Sequence, residues 1–593
     1  MRPRIHPERL LWWCVAAAMS VYILARALYV PLVHDEARMF RFYIDTGVVL
    51  PPNALLDAGN HLLVSLVSYW STLLFGKSLV AIRLFAVLSY PIYAYAIIAL
   101  VRYVDERIIR VCFGLSLLTM PFLFEYFSLF RGYGSAVAFE AMGCLWLLRF
   151  IERGDLRSLG LMTLFMVLAA FACLSLLPVC CIALVMAVAS FALHRERLVQ
   201  KAMLVGLGGG LPVLFLAYYG NRLNAKGGLY FGGVHGLAVD VAGSLARWTL
   251  DVNAYWLAYS IATVVFVAIV WAVFYFFWKK HDPDRIPLFL FGTLLILLCT
   301  GTSSMHVLLD TPYPIERTAI HFIPITLLLL AFALDRARSV VPGIVWLSPF
   351  VLVFPMRTSV TANVDHTSVW ADQAIGQEVF DVINSEQEKA QRPLVVNALK
   401  YLGESWDLGR RFRGDVPMSL DSEVHPQPIC DLMITDPEVI ADPEGFNTIH
   451  VSPTGRLVVW KRDEPLHEVI VFDTTYSVPH SDRESVELWR SLGNDGVEGQ
   501  PYFVEIELVA TDDSIVTQGL ITDVHANDAD EAYYDRVELS AMQRTWNNTR
   551  LHVIRRIPAW QGRSANTAVF LYNPERNNFE LKDVHVRVYA IDP

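Results

Sequence analysis

Three short stretches of this 593-residue chain combine residue types that bind and move charge. Pro31-Leu32-Val33-His34-Asp35-Glu36-Ala37-Arg38 sets two carboxylates side by side where an apolar run ends. Glu125-Tyr126 and Phe130-Arg131-Gly132-Tyr133 lie at the junction of two further runs, and Tyr313-Pro314-Ile315-Glu316-Arg317 precedes another. A carboxylate within hydrogen-bond reach of an alcohol can take its proton. A guanidinium makes forked, charge-assisted hydrogen bonds to phosphate. Charges beside hydrocarbon are costly without partners or water, so their place at the ends of apolar runs marks them as functional candidates. A purely interfacial reading fits the same residues. In it, Arg38 and Arg41 are solvated partners of the acidic pair, and Arg131 and Arg317 snorkel to headgroups.

These stretches need a scaffold, and the composition says which kind. The chain is 54% hydrophobic with a mean hydropathy of +0.40 and a formal charge of −10. Soluble domains are about 45–50% apolar. The average hides two halves. Up to Arg357 there are 28 Lys+Arg and 19 Asp+Glu, a net of +9; from Thr358 onward the counts are 20 and 39, a net of −19. A basic, apolar part followed by an acidic, polar part predicts a membrane domain and then a soluble one. Net acidity argues against a nucleic-acid partner.

Spanning helices need about 20 mostly apolar residues. Eleven runs qualify: 10–31, 79–101, 108–127, 132–150, 158–175, 177–194, 201–220, 254–278, 285–304, 318–335 and 339–356. Every second connection is basic. Arg2, Arg4 and Arg9 precede the first run; Arg102, Arg107 and Arg110 follow the second; Arg149, Arg153 and Arg157 follow the fourth. Arg195, Arg197 and Lys201, then Lys279, Lys280 and Arg285, then Arg336 and Arg338 complete the pattern. The positive-inside rule therefore predicts a cytoplasmic N-terminus and an extracytoplasmic tail in the inner or plasma membrane, periplasmic in a Gram-negative cell. The first run is too long for a cleaved signal peptide and lacks a small-residue cleavage site. Seven of the eight cysteines sit in spans and only Cys430 in the tail, so no tail disulfide is expected. No CxxC or HxxxH spacing occurs, and a zinc site is not expected. Gly208-Gly209-Gly210 lacks the spacing and the Lys-Ser/Thr of a phosphate loop, and reads as close helix packing.

On this topology residues 32–78 form the first external loop. It runs from His34-Asp35-Glu36 through Asn60-His61-Leu62-Leu63 to Leu74-Phe75-Gly76-Lys77-Ser78 and Arg83-Leu84, with helical apolar spacing at 36–46 and 61–74. The stretch HDEARMF…NHLLVSL…LFGKSLVAIRL resembles the first external loop of GT-C glycosyltransferases, polytopic enzymes that use lipid-linked sugars, among them protein O-mannosyltransferases and lipid A aminoarabinose transferases. The resemblance covers about 10–357 in topology and is strongest in motif over 34–90. Arg131-Gly132-Tyr133 resembles the family's Arg-x-Tyr stretch. Pro314-Ile315-Glu316-Arg317 resembles its late-loop element, although Thr318 stands where a tyrosine often follows the arginine.

The resemblance implies a transferase, hexosyl or pentosyl, that moves a sugar from a polyprenyl-phosphate donor to a glycan, lipid or protein acceptor, with inversion. It implies Asp35 as the base, with Glu36 orienting the site or acting as base itself. It implies Arg131, Arg317 and Lys77 as donor-phosphate ligands, and His34, Asn60, His61, Tyr133, Tyr313 and Glu316 as substrate contacts. Lys77, His61, Arg83, His306 and His321 equally fit structural roles. Loop 221–252, with its glycine pairs at 227–228 and 232–233 beside Tyr230, Phe231 and His235, fits a gate or a plain connector. Some branches of the family hold a divalent cation; Asp35 and Glu36 alone are too few ligands, so no metal or other cofactor is required on this reading. Two other classes remain open: a transporter or flippase of lipid-linked glycans, and a non-enzymatic glycan-binding assembly protein. Transporters place charges near the midplane, whereas these sit at span ends, beside the lipid headgroups.

The tail divides into two. Residues 358–465 predict a small α/β subdomain, with a helix over 366–390, strands at 394–398, 431–435, 448–451 and 456–461, and a turn at Pro453-Thr454-Gly455. Residues 466–593 predict a β-sandwich with strands at 468–473, 501–510, 515–523, 535–540, 549–556, 567–572 and 583–591. Its closing strands resemble jelly-roll carbohydrate-binding modules. Trp489, Trp546 and Trp560 fit sugar stacking or core packing, and Asn547-Asn548-Thr549 fits a glycosylation sequon.

Overall fold

The computed structural model describes residues 7–279, 282, 285–415, 418–492, 500–511, 519–526, 529–538, 550–558 and 564–592. Arg2, Arg4, Lys280, Trp546, Trp560 and the 547–549 triplet lie outside the described residues. The chain forms two compact units: Met1–Tyr29 with Phe42–Val364, and Val30–Arg41 with Asp365–Pro593. The acidic segment of the first loop thus folds with the tail.

The first unit is helical. Its helices are α1 (Pro7–Tyr29), then, after α2 (His34–Met39) of the other unit, α3 (Leu62–Phe75), α4 (Leu79–Val101), α5 (Arg107–Leu118), α6 (Pro121–Ser128), α7 (Gly132–Arg153), α8 (Leu156–Ala172) and α9 (Leu177–Ala189). There follow α10 (Leu198–Met203), α11 (Leu211–Ala225), α12 (Ser244–Leu250), α13 (Tyr255–Trp278), α14 (Arg285–Leu309), α15 (Phe322–Ala337) and α16 (Val353–Thr361). Among the described residues nine helical runs are long and apolar enough to cross a membrane. Of the eleven expected spans, α8 with 17 residues and α15 with 16 are shorter than that. The run 107–128 is one apolar stretch split by Pro121, which starts α6 in the position where a missing N–H costs nothing.

Helix α7 is the hub, buried on almost every side. Its small residues let neighbours approach as membrane helices do. A Cβ on Gly143 would stand 2.8 Å from Met166 of α8, and one on Gly134 2.6 Å from the Tyr126 carbonyl oxygen of α6. Gly209 likewise admits Leu184, while Gly206 has open space around it. Several basic residues that mark alternate loops also clamp helices together. Arg110 pairs with Glu8 at 2.6 Å and Arg336 with Asp105 at 3.0 Å. Asp335 accepts the Asp105 and Glu106 amides at 3.1 and 2.9 Å.

The second unit begins with an α/β layer: α17 (Gln377–Gln387), β1 (Val396–Leu399), α18 (Gly403–Arg413), β2 (Leu420–Glu423), β3 (Leu432–Thr435), β4 (Phe446–Val451) and β5 (Val458–Arg462). The sheet order is β2-β1-β3-β5-β4, parallel over the first three and antiparallel beyond. The expected helix over 366–390 is shorter: Gly376 precedes α17, and Ile375 is buried from a non-helical segment. Strand alternation divides the layer's two faces. Leu432, Ile434 and Val459 pack with Val379, Phe380 and Trp406, whereas Met433, Val458 and Trp460 pack with Phe503, Ile554 and Tyr589 of the β domain.

That domain has β6 (His467–Ser481), β7 (Ser485–Leu492), β8 (Tyr502–Ala510), β9 (Gly519–Ala526), β10 (Ala529–Glu538), β11 (Arg550–Ile557), β12 (Ser564–Tyr572) and β13 (Phe579–Asp592). The two antiparallel sheets run β10-β9-β12-β7 and β11-β8-β13-β6. Counted from β6, these orders are 5-4-7-2 and 6-3-8-1, the eight-stranded jelly roll. Trp489 on β7 belongs to its buried core beside Val504, Ile506 and Val586, so the core-packing reading holds and the sugar-stacking one does not.

Two carboxyl groups give this unit a pH signature. Burial alone would raise Glu505, but hydrogen bonds from His552 and Tyr589 and nearby positive charge hold it down to about 2, against its usual 4.5. Asp407 of α18 is pushed the other way, to about 7, chiefly by burial, with Arg41 opposing. Glu505 therefore adds stability that is present above about pH 4.5 and lost as pH falls toward 2. Asp407 adds stability that is full below about pH 4 and declines as pH rises through 7. Melting of the full chain across pH 3–8 is expected to show both arms. D407N should flatten the neutral arm and leave the acid arm in place.

Candidate active site

The acidic pair sits on α2, and its two carboxylates do different things. Glu36 is fully buried, and its Oε2 accepts the Val33 amide at 3.3 Å, closing the first turn of the helix. Asp35, next along the helix, is half-buried. Glu36 is thus committed to holding the turn, and of the two carboxylates Asp35 is the more accessible to a substrate. His34 Nδ1 lies 2.9 Å from the Tyr401 carbonyl oxygen, so that nitrogen carries the hydrogen. Arg41 Nη1 reaches both oxygens of Glu404, at 3.2 and 3.1 Å.

The arginines belong to the first unit. Arg131 is the residue before α7, extended and 4% exposed, with its guanidinium carbon 5.7 Å from the centre of the Tyr133 ring. His61, before α3, meets Tyr133 edge-on at 5.0 Å, and Tyr126 meets the other side of Tyr133 at 5.0 Å. Only glycine fits between Arg131 and Tyr133: a Cβ on Gly132 would stand 2.6 Å from His61 Nδ1 and collide with the Ala172 carbonyl oxygen. Asn60 pins the loop rather than facing outward. Its amide donates to the Val49 carbonyl at 3.2 Å and its Oδ1 accepts from Ser65 at 2.8 Å.

Arg317 comes from a second loop. Its guanidinium carbon stands 3.9 Å over the Phe231 ring, a cation–π stack. Glu316 is held at φ +48, a conformation that costs a non-glycine residue energy and clusters at functional sites. Its Oε2 lies 3.8 Å from Arg317 Nη1. Thr318 closes the turn, its hydroxyl accepting the Ile315 amide at 2.9 Å. Tyr313 and Gly233 exchange two backbone hydrogen bonds of 2.8 and 2.9 Å, and loop 221–252 is tied to the Arg317 loop there. The Glu316 amide donates to Ser244 Oγ of α12 at 2.9 Å, and Trp248 of the same helix stacks on Phe122 of α6 at 5.8 Å. The Arg131 cluster and the Arg317 loop therefore flank the same short helix, α12. Lys77 is engaged by Asp45 at 2.7 Å.

Arg26 was not singled out from sequence, and neither was the pairing of Phe231 with Arg317. Phe231 and Arg317 are 86 positions apart, and no local pattern links them. Arg26 did leave a signal, a charge inside an apolar run. It is 2% exposed and meets Glu125 at 2.7 Å, the Asn363 carbonyl at 2.8 Å and Asn363 Oδ1 at 2.9 Å. Removing one partner of such a buried pair costs about 3–5 kcal/mol, because the other charge stays buried. R26M or E125Q alone is expected to lower the melting temperature in detergent sharply, and R26M/E125Q together to recover most of it.

Comparison with solved structures finds chains of similar architecture. ArnT from Cupriavidus metallidurans in the apo state is 13% identical, with a TM-score of 0.44, over 76% of this chain and 97% of that one. The Archaeoglobus fulgidus oligosaccharyltransferase complexed with Zn and sulfate is 12% identical, with a TM-score of 0.37, over 66% and 60%. The arabinosyltransferase EmbB from Mycobacterium smegmatis is 12% identical, with a TM-score of 0.35, over 100% and 65%. All three are GT-C glycosyltransferases. No family model and no curated protein matches the chain. Among the described residues, no three His, Cys, Asp or Glu side chains group as metal ligands.

Proposed function

We propose that this chain is an integral membrane glycosyltransferase that moves a sugar from a polyprenyl-phosphate donor to an extracytoplasmic glycan, lipid or protein acceptor. The observation that carries the reading is the neighbourhood of Arg131 and Arg317. Two guanidiniums from separate loops, one stacked on Phe231 at 3.9 Å and one buried within 5.7 Å of the Tyr133 ring, suit a phosphate better than an interfacial role. The acceptor oxygen attacks the anomeric carbon, and the bond from that carbon to the phosphate oxygen breaks. The polyprenyl phosphate leaves with the electron pair, and its growing charge is met by Arg131 and Arg317. Asp35 takes the acceptor's proton. One displacement inverts the anomeric centre. Glu36 serves by closing the turn that carries Asp35. On this reading His34 and Asn60 hold backbone in place, while His61, Tyr133 and Tyr313 line the arginine neighbourhood.

The test uses the purified full chain in proteoliposomes with a labelled polyprenyl-phosphate sugar and an envelope acceptor fraction. Release of polyprenyl phosphate should match glycosidic bond formation one to one. Movement of intact donor across the bilayer without release would defeat the proposal in favour of a flippase.

A further inference from the structure

The α/β layer carries a feature that a spacer domain would not need. Strand β1 leads through α18 to β2 on one side, and the chain then crosses to β3 on the other. The crevice beyond the carboxyl end of β1 is thus a switch point, the place where open α/β sheets take their ligands. Here the His34–Arg41 segment lies against the residues that leave that end. Tyr401, two positions after β1, offers its carbonyl to His34. Glu404, in the first turn of α18, holds Arg41 with both oxygens. One face of α18 continues the contact at positions seven and eight residues on. Phe412 meets Phe40 edge-on at 5.4 Å, and Arg411 lies over the same ring at 5.3 Å. Asp35 lies between the two polar anchors, one residue from His34 and six from Arg41.

We propose that the α/β layer is a positioning device for the catalytic base, with Glu404 as its principal positioning residue: the layer's ligand edge holds α2, and so fixes where Asp35 stands. The proposal rests on the reading of Asp35 as base and adds to it a role for a tail residue 369 positions away. Glu404 touches no reacting atom, so its effect must appear in turnover and not in donor affinity.

The experiment compares wild type, E404Q, R41E/E404R and D35N as full chains. It measures kcat, donor KM, affinity for polyprenyl phosphate, and hydrogen–deuterium exchange over 33–41. E404Q should lower kcat at least tenfold, leave KM and polyprenyl-phosphate affinity within twofold, and speed exchange over 33–41. R41E/E404R should restore most of both losses. If E404Q fails to fold, R41K replaces it, because lysine keeps the charge and loses the fork. Unchanged exchange over 33–41 in E404Q would overturn the positioning role whatever Asp35 does. Wild-type kcat in E404Q beside an inactive D35N would overturn it and leave Asp35 as base. Full turnover in D35N would remove the catalytic reading, and the exchange data would still judge the docking.

Discussion

D35N is expected to lower kcat by about 10²–10⁴-fold, the usual contribution of a positioned general base. Asparagine keeps the size of the side chain and removes its ability to accept a proton. The adjacent carboxylate should not compensate, because Glu36 is fully buried and engaged with the Val33 amide. Affinity for polyprenyl phosphate should stay at the wild-type value, since the residues assigned to the phosphate lie on other loops. The variants of the two acids then separate by kind of damage. E36A should lower melting temperature and turnover together, as expected for a lost helix-start contact worth about 1 kcal/mol. D35N should change turnover alone. An assay of labelled sugar transfer beside a thermal melt decides it: D35N with more than a tenth of wild-type kcat would mean that another group is the base.

R131A and R317A are the second pair of large effects. On the proposed reading each removes charge-assisted donors from a leaving phosphate, and losses of about 10²–10³ in kcat follow from removing one such stabiliser. Affinity for polyprenyl phosphate should also fall by about 10–100-fold, the weight of a hydrogen bond to a charged group. Lysine at either position should recover only part, because an ammonium neither forks nor lies flat on a ring. Arg317 is stacked on Phe231, so F231A should weaken phosphate binding in the same direction as R317K but less than R317A. The double variant R131A/R317A should fall short of the sum of the single losses, since neighbouring groups on one ligand do not act independently. Titration with polyprenyl phosphate measures all of these. Equal affinity in wild type and the double variant would place the phosphate elsewhere.

Much of the architecture is written in local patterns. The apolar runs became helices because length and hydropathy are local properties, and Pro453-Thr454-Gly455 became a turn because Gly455 supplies φ +70 between β4 and β5. The missed elements are those whose local signal is wrong for their surroundings. Helix α18 reads GESWDLGRRFR, two glycines among charges with only a short apolar face, yet Trp406 is fully buried and its ring nitrogen donates to the Met418 carbonyl at 2.7 Å. Strand β2 reads LDSE, which looks like a loop. Its acids are matched from β11, where Arg556 Nε lies 2.5 Å from Asp421 and the same guanidinium meets Glu423. Strand β7 alternates as a strand should, but lies in a stretch that the strand expectations skipped between 473 and 501. The candidate site divides the same way. Asp35, Arg131 and Arg317 stand out as charges at span ends, whereas Phe231, Glu404 and the capping role of Glu36 depend on three-dimensional neighbours that no spacing announces.

The grouping of Val30–Arg41 with the tail also sets a timetable for biosynthesis. Arg41 and Glu404 are 363 positions apart in the chain. At about 5–20 residues per second, a ribosome needs roughly 20–70 s to bridge that gap. Throughout that interval the helical spans are being delivered to the bilayer while α2 lacks the surface it docks on. On the proposed reading, a nascent chain carries Asp35 from the start but lacks the surface that positions it until α18 emerges. On the proposed reading, a premature stop upstream of α18 leaves the proposed phosphate ligands Arg131 and Arg317 in a chain whose α2 has no docking surface. If that reading holds, such truncations are expected to bind polyprenyl phosphate without transferring sugar, which titration of the truncated chain beside a transfer assay would check.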